Sequence, residues 1–205
     1  MILKYLALGD SYTIGEAVPA EQSFPFQLAE QLREGGVTID DPRILATTGW
    51  TTGELLDAIK TEAIAEKFDL VTLLIGVNNQ YRGYSRENYR MEFRELLHLA
   101  LSFADNKTEC VYVVSIPDWG VTPFAQKSGR DVAMISAQIA AFNKINLEET
   151  LNAGIAYIDI TPGSQQAETD ISLLAEDGLH PSGKMYAEWA KALKNGLAER
   201  GLLKV

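Results

Sequence analysis

Short apolar runs alternate along the chain with longer segments of helical periodicity. The clearest run covers residues 69–75 and is almost continuously apolar, as is typical of a strand buried on both faces of a sheet. Further apolar runs predict strands at residues 3–8, 43–47, 110–116 and 155–160. Because strands that alternate with helices favour a parallel sheet, we predict an α/β fold, a three-layer α/β/α sandwich around a five-stranded parallel sheet.

Capping residues mark the starts of the first two predicted helices. Ser23 is typical of an N-cap, and Thr51 with Glu54 has the Thr-x-x-Glu spacing of a capping box. Helices are predicted over residues 23–34, 51–67, 85–104 and 131–152 and after residue 182, and loops over residues 12–20 and 117–130. Since there is no internal repeat and no linker-like stretch, we expect one domain over residues 1–205.

Charge and composition exclude several classes of function. The chain of 205 residues is 46% hydrophobic and carries a net charge of −10, which disfavours binding to nucleic acid or to an anionic membrane. Its one cysteine, Cys110, lies in a predicted strand and is expected to be a small core residue. No secretory signal and no membrane span are predicted, so we expect a cytoplasmic protein. The oligomeric state stays open.

A serine follows the first predicted strand directly. The apolar run ends in Gly9-Asp10-Ser11, which presents a hydroxyl group at the end of a strand. In parallel sheets the active crevice lies outside the carboxyl ends of the strands. Gly49, Asn78 and His180 follow later strands, so we expect them to lie at the same edge of the sheet as Ser11.

One of the two histidines is a candidate base for Ser11. His98 falls on the polar face of a predicted helix and is interpreted as a surface residue. His180 lies in a loop, three residues after Asp177, and the intervening Gly178 allows the carboxylate to fold back onto the imidazole. In that arrangement Asp177 fixes the imidazole tautomer and His180 takes the proton of Ser11. The structural alternative is that Asp177 only forms an Asx-turn.

Acyl transfer also needs hydrogen-bond donors for the negative oxygen of the transition state. The backbone N–H groups of Ser11 and Gly49 and the side-chain amide of Asn78 are candidates. Each has a plainer interpretation, since Gly49 is also explained by a turn and Asn78 by a capped loop. No metal-ligand spacing involves Cys110.

Four short stretches, taken together and in this order, resemble the GDSL esterases and lipases, also called SGNH hydrolases. They are Gly9-Asp10-Ser11-Tyr12, Gly49 in its turn, Gly76-Val77-Asn78-Asn79 and Asp177-Gly178-Leu179-His180. No Gly-x-Ser-x-Gly motif of the ordinary α/β-hydrolases is present. The resemblance implies a flavodoxin-like strand order and an enzyme without a cofactor or a metal.

The same resemblance implies roles for individual residues. Ser11 matches the nucleophile, His180 the general base and acid, and Asp177 the orienting carboxylate. Ser11, Gly49 and Asn78 match the donors of the oxyanion hole. Two positions depart from the usual pattern, because Tyr12 replaces a leucine and Asn79 replaces an aspartate. We expect Asn79 to change the rigidity of its loop and leave the donor of Asn78 in place, and Asp10 to bond loop amides near the serine.

The residues around the candidate site favour a small or polar ester as the substrate. Aromatic and polar side chains are expected in loops at the catalytic edge, at Trp50, Asn79, Gln80, Tyr81, Arg82, Trp119 and Phe124. We therefore predict a serine esterase for short-chain acyl or carbohydrate O-acetyl esters. The alternatives are an acyltransferase, a thioesterase or a lysophospholipase with the same triad, or a non-catalytic ligand-binding domain.

Overall fold

The computed structural model describes residues 2–202, so residues 1 and 203–205 of the predicted domain lie outside the described part. Its centre is a five-stranded sheet in the order β2-β1-β3-β4-β5. All neighbouring strands are parallel, as predicted. The strands are β1 (Tyr5–Gly9), β2 (Arg43–Ala46), β3 (Leu70–Leu74), β4 (Val111–Val114) and β5 (Ala156–Ile158).

The strand order explains which strands are most apolar. The three central strands, β1, β3 and β4, are buried at every position, whereas the edge strands β2 and β5 are partly exposed. A central strand of a parallel sheet is covered by helices on both faces, and a continuous apolar sequence is the consequence.

Helices cover both faces of this sheet. The longer ones are α2 (Phe24–Glu34), α3 (Thr52–Glu62), α5 (Arg86–Phe103), α7 (Val132–Asn152) and α9 (Gly183–Glu199). From β1 the chain crosses to β2 at one edge of the sheet, and from β2 it crosses back past β1 to β3 and then to β4 and β5. Right-handed crossovers therefore place α2 on one face and α3, α5 and α7 on the other. The contacts agree, since α2 packs against α9, and α5 packs against both α3 and α7.

The capping box of α3 forms as predicted. The Thr51 side chain accepts from the Glu54 N–H, and the Glu54 carboxylate accepts from the Thr51 N–H. The helix ends at Glu62, however, and the predicted end near residue 67 is wrong. Ala63 turns into the left-handed conformation with φ of 44°. Residues 64–68 are neither helix nor strand and lead to the start of β3, where the Asp69 N–H bonds to the Lys4 carbonyl and aligns β3 with β1.

Short helices occupy segments in which the sequence predicted no helix. They are α1 (Ser11–Ile14), α4 (Val77–Tyr81), α6 (Pro123–Lys127) and α8 (Thr161–Gln165). The prediction of residues 12–20 and 117–130 as loops is thus wrong in part. Helices of four or five residues are too short to show a hydrophobic period, and side-chain caps stabilise the start of two of these four. Asp10 caps α1 and Thr122 caps α6 in this way.

Within residues 2–202, no helix has the length and apolar character needed to cross a membrane.

Candidate active site

The turn from β1 into α1 presents the Ser11 hydroxyl. Asp10 is the N-cap of α1, and its carboxylate accepts a hydrogen bond from the Tyr12 N–H at 3.1 Å, as expected for a structural role. A Cβ atom at Gly9 would collide with the Thr13 hydroxyl and the Leu74 carbonyl oxygen. Glycine is therefore required where the strand turns so tightly, and the turn leaves Ser11 first in the helix.

Ser11, His180 and Asp177 form a hydrogen-bonded series. The Nε2 atom of His180 lies 3.1 Å from Oγ of Ser11, and its Nδ1 atom lies 2.6 Å from Oδ2 of Asp177. Ser11 and His180 are buried, at 5% and 9% exposure. An ionised carboxylate can only accept, so Nδ1 carries the proton and Nε2 is left to accept from the Ser11 hydroxyl.

Asp177 also forms the Asx-turn that was the structural alternative, and the two interpretations are compatible. Its Oδ1 atom accepts from the N–H groups of Leu179 and His180 at 2.9 and 3.0 Å, which leaves Oδ2 for the imidazole. Burial raises the Asp177 pKa, but the hydrogen bonds from the His180 side chain and the two backbone groups outweigh it and lower the pKa below its ordinary value. Asp177 is therefore ionised at neutral pH.

Gly49 and Asn78 lie at the same cavity as Ser11 and His180. Gly49 occupies the third position of the turn Thr47–Trp50, which the Trp50 N–H closes on the Thr47 carbonyl at 3.2 Å. Its φ of +86° suits a type II turn, which needs glycine at that position. Asn78 is the second residue of α4, and its side-chain amide donates to the Trp50 carbonyl at 2.9 Å. The amide group has a second N–H, which this bond does not use.

The cavity beside Ser11 has a volume of about 160 Å³ and mainly apolar walls. This is small compared with the roughly 300–1,000 Å³ of sites that hold drug-sized ligands. Its aromatic side is a series of rings, in which Trp119 packs between Tyr81 and Phe124 with centroids 5.6 and 6.1 Å away. The Arg130 guanidinium lies over the Tyr81 ring, 4.0 Å from the ring centroid.

Asn79, Gln80 and Arg82, three of the predicted lining residues, make other contacts instead of lining the cavity. Asn79 is fully buried against Thr52, and the Gln80 side chain accepts from the Trp119 indole N–H at 2.8 Å. Asn79 and Gln80 do not line the cavity, because they lie on the inner side of α4. Arg82 points to the backbone of the loop that contains Gly49. Tyr81, Trp119 and Phe124 do line the cavity, and Trp50 is half-buried.

Tyr12, which replaces the leucine that the resemblance leads one to expect, contacts the candidate base. Its ring packs against the His180 imidazole with centroids 5.5 Å apart and against Trp189 at 6.3 Å. The sequence showed the unusual residue but not this contact, since α9 supplies Trp189 from the far end of the chain. His98, by contrast, is exposed on α5, as predicted.

Asp10 is the second acid at this site. It is fully buried, and burial raises its pKa to about 7, although hydrogen bonds from the Tyr12, Asp10 and Gly76 backbone groups oppose the rise. Its Oδ2 atom has no hydrogen-bond partner among the described residues. Among residues 2–202, no group of three or more His, Cys, Asp or Glu side chains is arranged to hold a metal ion.

Comparison with known proteins gives a family match and several structural relatives. The model of the GDSL-like lipase/acylhydrolase family matches residues 7–188. A lipase/acylhydrolase from Enterococcus faecalis has a TM-score of 0.74 and 21% identity, and the match covers 99% of this chain and 98% of that one. An acetylxylan esterase from Geobacillus stearothermophilus has a TM-score of 0.72 and 17% identity, with 95% and 94% covered.

A psychrotrophic esterase from Pseudoalteromonas sp. has a TM-score of 0.69 and 15% identity, and the match covers 96% of this chain and 97% of that one. No curated protein gives a significant match to the sequence. At such identities the structural likeness shows the shared fold, whereas the family match covers most of the chain. The chain belongs to the GDSL-like lipase/acylhydrolase family, a family of ester-bond hydrolases.

Proposed function

We propose that the protein is a serine esterase in which Ser11 is the nucleophile, His180 the general base and acid, and Asp177 the orienting carboxylate. The observation that carries the proposal is the pair of hydrogen bonds through His180, at 3.1 Å to Ser11 and 2.6 Å to Asp177. A serine hydroxyl is a weak nucleophile until a base removes its proton, and this arrangement supplies an oriented base.

The proposed reaction has two half-reactions. Ser11 Oγ attacks the ester carbonyl carbon while its proton passes to His180 Nε2, and the imidazolium then returns that proton to the departing alkoxide. Water next gives a proton to Nε2 and attacks the acyl-enzyme, and the proton then returns to Ser11 as the acid leaves. Asp177 stays ionised throughout and stabilises the imidazolium, in keeping with its lowered pKa.

The oxyanion of each tetrahedral intermediate is assigned to the Ser11 N–H, the Gly49 N–H and the second N–H of Asn78. Gly49 and Asn78 share the cavity with Ser11, and among the described residues no group accepts from the Gly49 N–H. Donors held in place before the reaction stabilise the transition state without reorganisation, and each is worth about 10²–10³ in kcat.

A short acyl group is the proposed substrate, with a carbohydrate O-acetyl ester as the preferred class. The cavity of about 160 Å³ limits the acyl chain. Tyr81 and Phe124 expose 42% and 38% of their surface at its edge, where aromatic faces suit the apolar face of a sugar ring. Two similar structures, one from Geobacillus stearothermophilus, are described as acetyl xylan esterases, which supports the same class.

The test is hydrolysis of p-nitrophenyl esters of graded acyl length and of acetylated sugars. Ser11→Ala and His180→Ala are expected to lower kcat by at least about 10³-fold, because neither half of the pair works alone. His98→Ala and Ser102→Ala are the matched controls on α5 and should keep wild-type turnover. Wild-type turnover in Ser11→Ala would refute the assignment.

Product analysis with competing alcohols separates hydrolysis from acyl transfer, and thioesters and lysophospholipids complete the substrate panel.

A further inference from the structure

The loop that contains Gly49 is tied to α4 at two successive carbonyl groups. The Asn78 amide donates to the Trp50 carbonyl at 2.9 Å, and the Arg82 guanidinium donates through Nη2 to the Gly49 carbonyl at 2.6 Å. Asn78 and Arg82 are four residues apart, so they project from the same side of this short helix and its C-cap. Two adjacent peptide groups of the loop are thus fixed from one surface.

Arg82 is itself held in place by an ion pair. Its Nη1 atom lies 3.3 Å from both carboxylate oxygens of Glu54. Glu54 in turn accepts from the Thr51 N–H at 2.8 Å and the Thr51 hydroxyl at 2.9 Å, as part of the capping box that starts α3. The guanidinium therefore joins the loop, the start of α3 and the end of α4 through groups that are all hydrogen-bonded.

This arrangement matters for the proposed oxyanion hole because two of its donors come from different elements. The Gly49 N–H belongs to the loop after β2, and the Asn78 amide belongs to α4 after β3. Their separation has to match one oxygen atom, and donors act only within about 2.7–3.1 Å of it. Asn79 holds the chain to α4 at Thr52, beyond the turn. Within the turn Thr47–Trp50 itself, the Asn78 amide is, among the described residues, the other hydrogen-bonding group from this helix, and the same amide must also bind the oxyanion.

We propose that Arg82 is a positioning residue that sets the separation between the Gly49 N–H and the Asn78 amide in the oxyanion hole. The inference rests on the proposed esterase function and extends it to a residue outside the four family stretches. Arg82 acts through the Gly49 carbonyl and does not contact the substrate. Because the oxyanion forms only in the transition state, loss of Arg82 should lower kcat and leave KM nearly unchanged.

The experiment compares Arg82→Gln, Arg82→Lys and Arg82→Ala with Arg86→Gln, a control four residues further on, at the start of α5. With p-nitrophenyl acetate, Arg82→Gln is expected to lose roughly tenfold to a hundredfold in kcat, less than removal of a whole donor. Lysine keeps the charge but not the planar fork, so Arg82→Lys should recover only part of kcat. Added guanidinium ion, far below denaturing concentrations, should partly rescue Arg82→Ala and leave Arg86→Gln unaffected.

The backbone amide resonances of Gly49 and Trp50 give a readout that needs no turnover. They are expected to shift in Arg82→Gln and to keep their wild-type positions in Arg86→Gln. A wild-type Gly49 resonance in Arg82→Gln, or equal kcat in Arg82→Gln and Arg86→Gln, would overturn the inference. A wild-type protein that cleaves no ester would instead refute the proposed function, and the resonances would still decide whether Arg82 positions Gly49.

Discussion

The buried amide of Asn79 shows why this chain has asparagine where the family motif usually has aspartate. Asn79 Oδ1 accepts from the Thr52 N–H at 3.0 Å, and Nδ2 donates to the Thr52 hydroxyl oxygen at 2.7 Å. The Thr52 hydroxyl gives its proton to Glu92 on α5, which itself accepts from Asn88. A donor is therefore needed at position 79, and an aspartate would have none.

Replacement of Asn79 by aspartate should destabilise the protein. The Asn79→Asp carboxylate would face the Thr52 oxygen without a proton between them, at a cost of roughly 1–3 kcal/mol in the free energy of unfolding. In a Glu92→Gln background, the glutamine amide can donate to the Thr52 hydroxyl oxygen. The Thr52 hydroxyl is then free to donate its own proton to the aspartate at position 79. The loss in the free energy of unfolding caused by Asn79→Asp should therefore fall by more than half. Urea denaturation of the four proteins measures both effects. An Asn79→Asp protein as stable as wild type would contradict this account.

Asp10 should make the stability of the protein depend on pH. In the unfolded chain its pKa has the ordinary value of 3.8, whereas burial raises the folded pKa to about 7. Between these values the folded protein binds a proton that the unfolded chain has released. The stability that this group contributes is thus fully present below about pH 4 and is lost as the pH rises through about 7.

Asp10→Asn removes that titration and still offers an oxygen to the Tyr12 N–H. Relative to wild type, its free energy of unfolding is expected to increase by roughly 4 kcal/mol from about pH 4 to about pH 9, at about 1.4 kcal/mol per pKa unit. Urea denaturation at several pH values measures the difference in the free energy of unfolding between the two proteins. The contributions of the titrating groups that both proteins share cancel in this difference. A difference that is constant over this range would show that Asp10 does not titrate as described.

At the scale of elements, the junction between β3 and α4 depends on glycine. Gly76 has φ of +129°, and a Cβ atom there would collide with the Tyr89 hydroxyl and lie 2.8 Å from Ile116 Cδ1. The Tyr89 hydroxyl donates to the Ile75 carbonyl at 3.1 Å, so the space behind the strand end is filled. This junction determines where Asn78 lies.

Gly76→Ala should therefore lower the free energy of unfolding by roughly 2–5 kcal/mol, the sum of backbone strain and overpacking. Gly83→Ala is the matched control, because Gly83 also has a positive φ, of +70°, but nothing lies within 4 Å of its Cβ position. The control should lose only about 1–2 kcal/mol. Chemical denaturation of both variants measures the difference, and equal losses would mean that the Tyr89 contact adds nothing.

The sequence predicted the long elements well and the short ones poorly, for one physical reason. Strand β3 and helix α5 contain enough residues to show an apolar run or a helical period, and they lie close to their predicted bounds. Helix α4 has five residues and no period of its own, so a loop was predicted there. Its contacts with Thr52, Trp119 and Gly49 come from three other elements, which no local pattern reveals.

At the scale of the whole molecule, the parallel sheet brings together residues from the two ends of the chain. Ser11 and His180 are 169 positions apart and within hydrogen-bond distance. The general rule for parallel sheets predicted the edge at which they meet. It could not predict the course of the long segment after β5. There the Gly178 carbonyl accepts from the Phe124 N–H of α6 at 3.1 Å, and the Ala175 N–H donates to the His180 carbonyl at 2.8 Å.

The central claim is that His180 activates Ser11, and covalent labelling tests it most directly. Wild-type protein and the Ser11→Ala, His180→Ala and His98→Ala variants are incubated with an organophosphonate, and the labelled residue is identified by peptide mass spectrometry. The account predicts one label, on Ser11, in wild type and His98→Ala, none in Ser11→Ala, and labelling slowed by orders of magnitude in His180→Ala. A label on another residue, or equal rates in His180→Ala and His98→Ala, would contradict it.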